Sequence, residues 1–396
     1  MRFAKRLQAL STNVFADMDR AKTQARNAGK EIIDLSLGSS DLAVAEPIIK
    51  AIANSLRDRH TYGYLLYDGT KDFRAAAAHW YTKKFGISVD PETEVLQLIG
   101  SQEGTAHLPL AILNPGDVAL LQDPGYPSHA GGVYLAGGQI HPMPLLAENN
   151  FLPVLEDIPA SVLAVARMMV LSYPHNPTSA IANLAFFKQA VNFCEQHDLV
   201  LVHDFPYVDL VFSDEHSVLD TQSLAPSILQ ADANKKVSIE FFTLSKSYNM
   251  GGFRIGYAVG NASIIKALRQ IKAVVDFNQY KGILNGAIAA LSGSQEPVKE
   301  TVAIFKRRRD VFIQALKEIG WQVDSPQATM YIWAKLPEPW QHDSVGFCTQ
   351  LVAQTGVAAS PGSGFGKAGE GYVRFALVQE AEILQLAATK IAQFLQ

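Results

Sequence analysis

The chain has 396 residues, with 34 Lys and Arg against 38 Asp and Glu and a formal charge of −4 at neutral pH. At 48% hydrophobic and 18% charged residues it is composed for a large buried core rather than for disorder, and it lacks the basic footprint of a nucleic-acid binder. No apolar run approaches the ~20 residues of a membrane span, and the start, MRFAKRLQALSTNVFADMD, has neither the apolar core nor the cleavage site of a secretion signal. Two cysteines, Cys194 and Cys348, are too few for a disulfide framework or a cysteine zinc site. These features predict a cytoplasmic protein of two domains.

In chain order, a helical pattern spans 72–85 and is followed by candidate strands at 95–100, 118–122, 139–144 and 168–173. A second helix at 184–196 sets Phe187, Ala190, Val191 and Cys194 on one face at three-to-four spacing. Cys194 therefore reads as core and not as a nucleophile. Strands at 199–204, 239–244 and 255–260 come next, with a helix at 264–274. This alternation predicts an α/β fold with a mostly parallel sheet flanked by helices, whose sites gather at the carboxyl ends of the strands. After about residue 295 the pattern changes to a charged helix at 301–319, a strand at 331–336, a Gly-rich turn at 361–371, a strand at 372–377 and a last helix at 381–394. That reads as a smaller α+β domain with the N-terminal segment packed on it. The expected division is 46–290 for the large domain, and 1–45 with 291–396 for the small one.

Five segments carry chemistry. Gly100-Ser-Gln-Glu-Gly104 follows a strand and opens a helix, the generic arrangement for holding an anion. It is neither a Walker loop nor GxGxxG, and Pro109 is expected to kink the helix that follows. Ser172-Tyr-Pro-His-Asn-Pro-Thr178 sets two prolines around a His-Asn pair, an irregular turn that suits a cis X–Pro bond and fixes Asn176. In His203-Asp-Phe-Pro-Tyr207 an acid ends a buried strand and needs a cationic or hydrogen-bonding partner, of which a pyridinium nitrogen is one. His203 itself reads as structural. Thr243-Leu-Ser-Lys-Ser-Tyr-Asn-Met-Gly-Gly-Phe-Arg254 ends a strand in two hydroxyls and a lysine, with an arginine eight residues beyond the lysine. Hydroxyls, an arginine and a free backbone turn suit a phosphate dianion, and a lysine beside them can form an imine with an aldehyde once its pKa is depressed. Tyr372-Val-Arg-Phe-Ala-Leu377 carries a mid-strand arginine able to present a fork to a carboxylate. Taken singly, each segment also has a plain structural reading as a turn, a surface lysine or a buried ion pair. With no histidine or cysteine cluster nearby, no metal site is expected.

Together, from Asp34-Leu-Ser-Leu-Gly-Ser-Ser-Asp41 to the arginine strand, these segments resemble the fold-type I, pyridoxal 5′-phosphate-dependent aminotransferases of class I/II. The Ser-Lys-x7-Arg spacing, the Asn-Pro-Thr turn and the Asp-x-x-Tyr step stand in that family's order. The resemblance implies pyridoxal 5′-phosphate as cofactor, with Lys246 as the Schiff-base lysine and proton shuttle. Asp204 is implied as the partner of the pyridine nitrogen, Asn176 and Tyr207 as partners of the phenolic oxygen, and Tyr126 as the group stacked on the ring. Ser101, Gln102, Thr243, Ser245 and Arg254 would form the phosphate cradle, and Arg374, helped by the backbone at Gly38, would grip the substrate α-carboxylate. Tyr64, with Tyr62 and Tyr67 as alternatives, matches a tyrosine that reaches the neighbouring subunit's phosphate, which implies a homodimer.

The implied activity is ping-pong transamination between an amino acid and a 2-oxo acid in amino-acid metabolism. A C–S or β-lyase on the same fold is the alternative. Three departures bear on substrate choice: Ser179 where glycine is usual, His129 where tyrosine is frequent, and 327–331 without its usual glycine. Lys281, His129 and Arg26 are candidates for a distal substrate group. The Leu37-Gly-Ser-Ser-Asp-Leu42 stretch looks closest to the diaminopimelate- and alanine-type branch, and aspartate-type donors stay open.

Overall fold

Twelve strands form sheets of seven, three and two strands among the described residues. They are β1 (Ile33–Asp34), β2 (Val95–Leu98), β3 (Val118–Asp123), β4 (Gln139–Pro144), β5 (Ala166–Leu171), β6 (Val200–Asp204), β7 (Ser238–Thr243), β8 (Gly256–Gly260), β9 (Tyr331–Lys335), β10 (Val357–Ala358), β11 (Ser360–Pro361) and β12 (Tyr372–Ala376). The computed structural model describes residues 1, 3–10, 14–212 and 224–396, so residues 2 and 11–13 of the expected N-terminal segment lie outside it.

The large sheet runs β2-β8-β7-β6-β5-β3-β4. Its strands are parallel except at β8, which runs against both neighbours. Two antiparallel steps restore direction, so β2 points the same way as β7. Gly100, Asp204 and Thr243 therefore emerge along one edge, and Leu98 and Thr243 both face Gly256 in the register. Burial on both faces explains why β3, β5, β6 and β7 read as apolar runs. One core holds Phe187, Ala190, Val191 and Cys194 from helix Leu184–Gln196, as the sequence pattern predicts. The opposite core holds Leu108, Val133 and Leu268.

One expected strand end needs correction. The strand expected at 168–173 ends at Leu171, because Ser172 and Tyr173 give their N–H groups to the side chains of Gln122 and His203. Helix Ser101–Ile112 continues through Pro109, the residue expected to kink it. The Thr105 carbonyl, which that proline cannot serve, lies against Gly132 of helix Pro127–Ala136. The N-terminal segment is shared between two neighbours: Met18, Ala21 and Ala25 of helix Val14–Asn27 enter the small unit's core, while Arg6 bonds the carbonyl of Leu135.

The small unit is built on β9, β11 and β12 and on helix Glu296–Glu318, which begins earlier than expected because Pro297 suits a first helical turn. Phe305, Phe312 and Leu316 fill its core. Arg308 from the same helix takes both oxygens of Asp41 at 2.7 and 2.8 Å, Glu380 at 2.9 Å and the Leu377 carbonyl. That fork pins the segment after β1 against the seam between the two units. No helix among the described residues is long and apolar enough to cross a membrane.

Candidate active site

Lys246 follows β7 and donates from Nζ to the Gly38 carbonyl at 2.6 Å. Gly38 is brought there by β1, which pairs with β10 and continues through Leu35, bonded to Ala358 and Ala376. Glycine is required at 38 because a Cβ would collide with the Tyr331 hydroxyl. The Tyr207 hydroxyl donates to that same Tyr331 oxygen at 2.9 Å. Burial pushes the Tyr331 phenol up, but the charges of Lys246 and Arg374 outweigh it and hold the group below the ordinary tyrosine range. Burial, with Tyr331 beside it, raises Tyr207 well above that range.

Arg374 sits in β12 between Ser360 and Trp333. Its guanidinium donates to Asn176 Oδ1 at 2.8 Å, the Ser36 carbonyl at 2.7 Å and Ser360 Oγ at 3.2 Å. Its carbon lies 4.2 Å from the Tyr331 ring centroid and 4.6 Å from that of Phe365. Buried arginine held on so many acceptors is a rigid fork for a carboxylate. Asn176 stands in a turn where Tyr173–Pro174 and Asn176–Pro177 are both cis. Its oxygen is spent on Arg374, leaving its amide N–H groups to donate elsewhere.

Asp204 ends β6. One carboxylate oxygen contacts His129 Nε2 at 3.0 Å, and the other is buried with no hydrogen-bond partner. An orphaned buried carboxylate oxygen is costly, and a pyridinium N–H satisfies it. His129 lies edge-on to Tyr126, their ring centroids 5.8 Å apart. His175, bonded to Thr178, is held neutral by burial and then by nearby His129, its pKa down to about 3. His203 is buried between Glu240 and the Tyr173 backbone, in the structural role its position implied.

At the edge of the sheet the Thr243 and Ser245 hydroxyls bond each other at 2.8 Å. Arg254, in a left-handed conformation, lies against Gly100, where a Cβ would stand 2.7 Å from Nη2. Gly100 has φ +77° and starts helix Ser101–Ile112, so its glycine serves both backbone and close approach. Two hydroxyls, a guanidinium and a helix N-terminus bearing Ser101 and Gln102 make a fitting cradle for a phosphate.

Most of the expected residues thus converge. Tyr67 has Arg74 and Arg269 over its ring and its hydroxyl on the Glu92 carbonyl, so its polar end is already engaged within the chain. Tyr62 bonds the Leu56 carbonyl, whereas Tyr64 is 95% exposed and touches Phe277 edge-on. Of the residues considered for a distal group, His129 is committed to Asp204, Arg26 is exposed on helix Val14–Asn27, and Lys281 opens helix Lys281–Ser292. Glu103, His107 and Asp276 have ligand atoms close enough for a metal, but the Lys272 ammonium already occupies that cluster.

Sequence reasoning misses Tyr331, Ser36, Ser360 and Phe365 as parts of the site. A tyrosine opening an apolar strand needs a partner for its hydroxyl, which is the available signal for Tyr331. The Ser36 contribution is a carbonyl and carries no side-chain signature.

A lysine, an acid with a free buried oxygen, a phosphate cradle and a fixed arginine on this sheet edge define a pyridoxal phosphate enzyme of fold type I. The chain belongs to the family of class I and II aminotransferases, whose family model matches residues 30–389. It is an aminotransferase, and its cofactor is pyridoxal 5′-phosphate. It is 42% identical over 394 residues to an LL-diaminopimelate aminotransferase of Dehalococcoides mccartyi, covering 100% of this chain and 99% of that one. A solved probable N-succinyldiaminopimelate aminotransferase from Thermus thermophilus matches with TM-score 0.89 and 41% identity, over 96% of this chain and 99% of that one. A mutant aspartate aminotransferase from the same organism matches with TM-score 0.90 and 25% identity, over 99% and 100% of the two chains.

Proposed function

We propose that the chain transaminates a diaminopimelate-type donor, the free diamino diacid or an N-acyl form, against a 2-oxo acid in a ping-pong cycle. The observation that carries the donor is full-length similarity, at 41–42% identity, to relatives named for that substrate. When bound, pyridoxal phosphate supplies an electrophilic carbon and a ring that draws electrons from the substrate α-carbon.

The chain's own groups do the rest. Thr243, Ser245, Arg254, Ser101 and Gln102 hold the phosphate. Asp204, braced by His129, accepts from the pyridine nitrogen and keeps it protonated, and Tyr126 covers the ring. Asn176 and Tyr207 donate to the phenolic oxygen. Lys246 anchors the cofactor, and its freed amine takes the α-proton and returns it one carbon away. Arg374, with the Gly38 backbone, grips the α-carboxylate.

This reading includes an active homodimer in which Tyr64 reaches the partner's phosphate. Its support is the exposure of the large apolar side chains Tyr64, Leu66, Val274 and Val275, with Tyr64 set against Phe277 just beyond the last two, of the kind that marks an interface. A division at 46–290, against 1–45 with 291–396, follows most of the two cores, with Tyr207, Leu210 and Phe212 reaching into the small unit's core and Val298 and Ala328 into the large one's. A cytoplasmic location goes with two buried, unpaired cysteines.

The test is the visible spectrum of the loaded protein while single amino acids are added without any keto acid. Bleaching by diaminopimelate or its N-succinyl form supports the donor; bleaching by alanine or aspartate alone removes it. Pyruvate and ammonia released from a cysteine-type substrate would mark a lyase instead, an activity that the relatives' names do not favour.

A further inference from the structure

Two residues beside the site adopt a backbone conformation that side chains disfavour. Ser179 has φ +61° and Thr329, although β-branched, has φ +71°. Their hydroxyls bond each other at 2.7 Å. Both also clamp one backbone: Ser179 Oγ donates to the Tyr331 carbonyl at 3.0 Å, and Thr329 Oγ1 accepts from the Tyr331 N–H at 3.1 Å. Glycine would hold either conformation freely and would lose these bonds. Strain kept at two adjoining positions, both aimed at one residue, points to a function for that residue.

Tyr331 is the hub that this clamp positions. Its hydroxyl lies between Gly38 and Tyr207, and its ring lies under Arg374. The ionisable groups that act on it are Lys246, Arg374, Tyr207 and Tyr126. We propose that Tyr331 is a positioning residue of the reaction: its hydroxyl holds the Tyr207 hydroxyl and divides Tyr207's proton between itself and the phenolic oxygen of the cofactor, with the Ser179–Thr329 pair keeping it in place.

This rests on the proposed role of Tyr207. Without the competing acceptor, Tyr207 would donate wholly to the phenolic oxygen, and the Lys246 nitrogen would hold its proton less tightly once that oxygen's charge is more fully taken up.

The experiment is a pH titration of the visible absorption of pyridoxal-phosphate-loaded protein. In Tyr331→Phe the midpoint is expected to fall by about half a unit or more, roughly threefold in proton affinity. Cofactor content, measured by mass after borohydride reduction, stays unchanged. In a Tyr207→Phe background the same substitution adds no displacement, because it acts only through Tyr207.

An unmoved or raised midpoint, or equal displacements in both backgrounds, overturns the proposal. Should Tyr331→Phe not fold, Ser179→Gly is read in the same way, with a smaller fall expected and no fall counting against the proposal. A wild-type protein that develops no visible band with pyridoxal phosphate overturns the underlying reading as well, before any variant is measured.

Discussion

Replacing Lys272 by methionine is expected to destabilise the protein by about 3 kcal/mol. Lys272 is 3% exposed on helix Ala262–Val275. Its ammonium contacts both oxygens of Glu103 at 2.9 and 3.0 Å and Asp276 at 2.9 Å. Glu103 stands in the first turn of the cradle helix and also accepts from the Ile99 N–H. One buried cation therefore ties together the end of β2, the cradle helix and a third element.

Methionine fills most of the space and leaves the Glu103 carboxylate without its counter-charge, a loss of ~3–5 kcal/mol for a buried pair. Partial solvation of Asp276 and the retained Ile99 bond place the figure at the low end. Glu103→Gln combined with Lys272→Met removes both charges and should recover most of the loss. Burial pushes the Glu103 carboxyl up, but His107 and Lys272 hold it below 4.5. Its contribution is thus present above that value and is lost as pH falls through the lower folded-state value. In the single variant the carboxyl rises instead, so the deficit is widest at neutral pH and narrows in acid. Urea unfolding followed by tryptophan fluorescence at both pH values, with equal cofactor loading, reads this. A Lys272→Met protein within ~0.5 kcal/mol of wild type at neutral pH, or a double variant no better than the single, would refute the reasoning.

Lys246→Ala should still bind pyridoxal phosphate by its phosphate and ring contacts but lose at least ~10²–10⁴-fold in turnover with the general base gone; steady-state rates with measured occupancy check this, and robust turnover would remove the lysine's role. Arg374→Ala should lower kcat/KM roughly 10²-fold, the equivalent of two charge-assisted hydrogen bonds at ~1.4 kcal/mol each. Cofactor content should hardly change, and its loss would mean the arginine serves the cofactor instead. Gly38→Ala drives a Cβ into the Tyr331 hydroxyl, so kcat/KM should drop about tenfold or more while the melting temperature moves little; wild-type kinetics would show that the 35–40 segment can yield.

Much of this molecule is written locally. Helix 184–196 follows from its three-to-four spacing, and the parallel sheet follows from strand–helix alternation. Lys246, Asp204 and Asn176 stand out because each stands at or shortly after the end of a buried strand and is a residue that burial alone would penalise. These signals lie within a few residues of one another, so they survive without knowledge of the fold.

Other features depend on which element ends meet. Gly38 bonds a lysine 208 residues away, Asn176 an arginine 198 away, and Ser179 a threonine 150 away. His129 reads as a pocket wall in the sequence, yet Asp204 lies 3.0 Å from it. Ser179 reads as a substituted glycine, yet its hydroxyl works where glycine has none. Residue type and period name the ends of elements and the chemistry each can carry. Register, the one antiparallel strand of the large sheet, β8, and the seam between the two cores choose the partners, because a hydrogen bond is decided within a few tenths of an ångström and that precision arises only when distant segments pack.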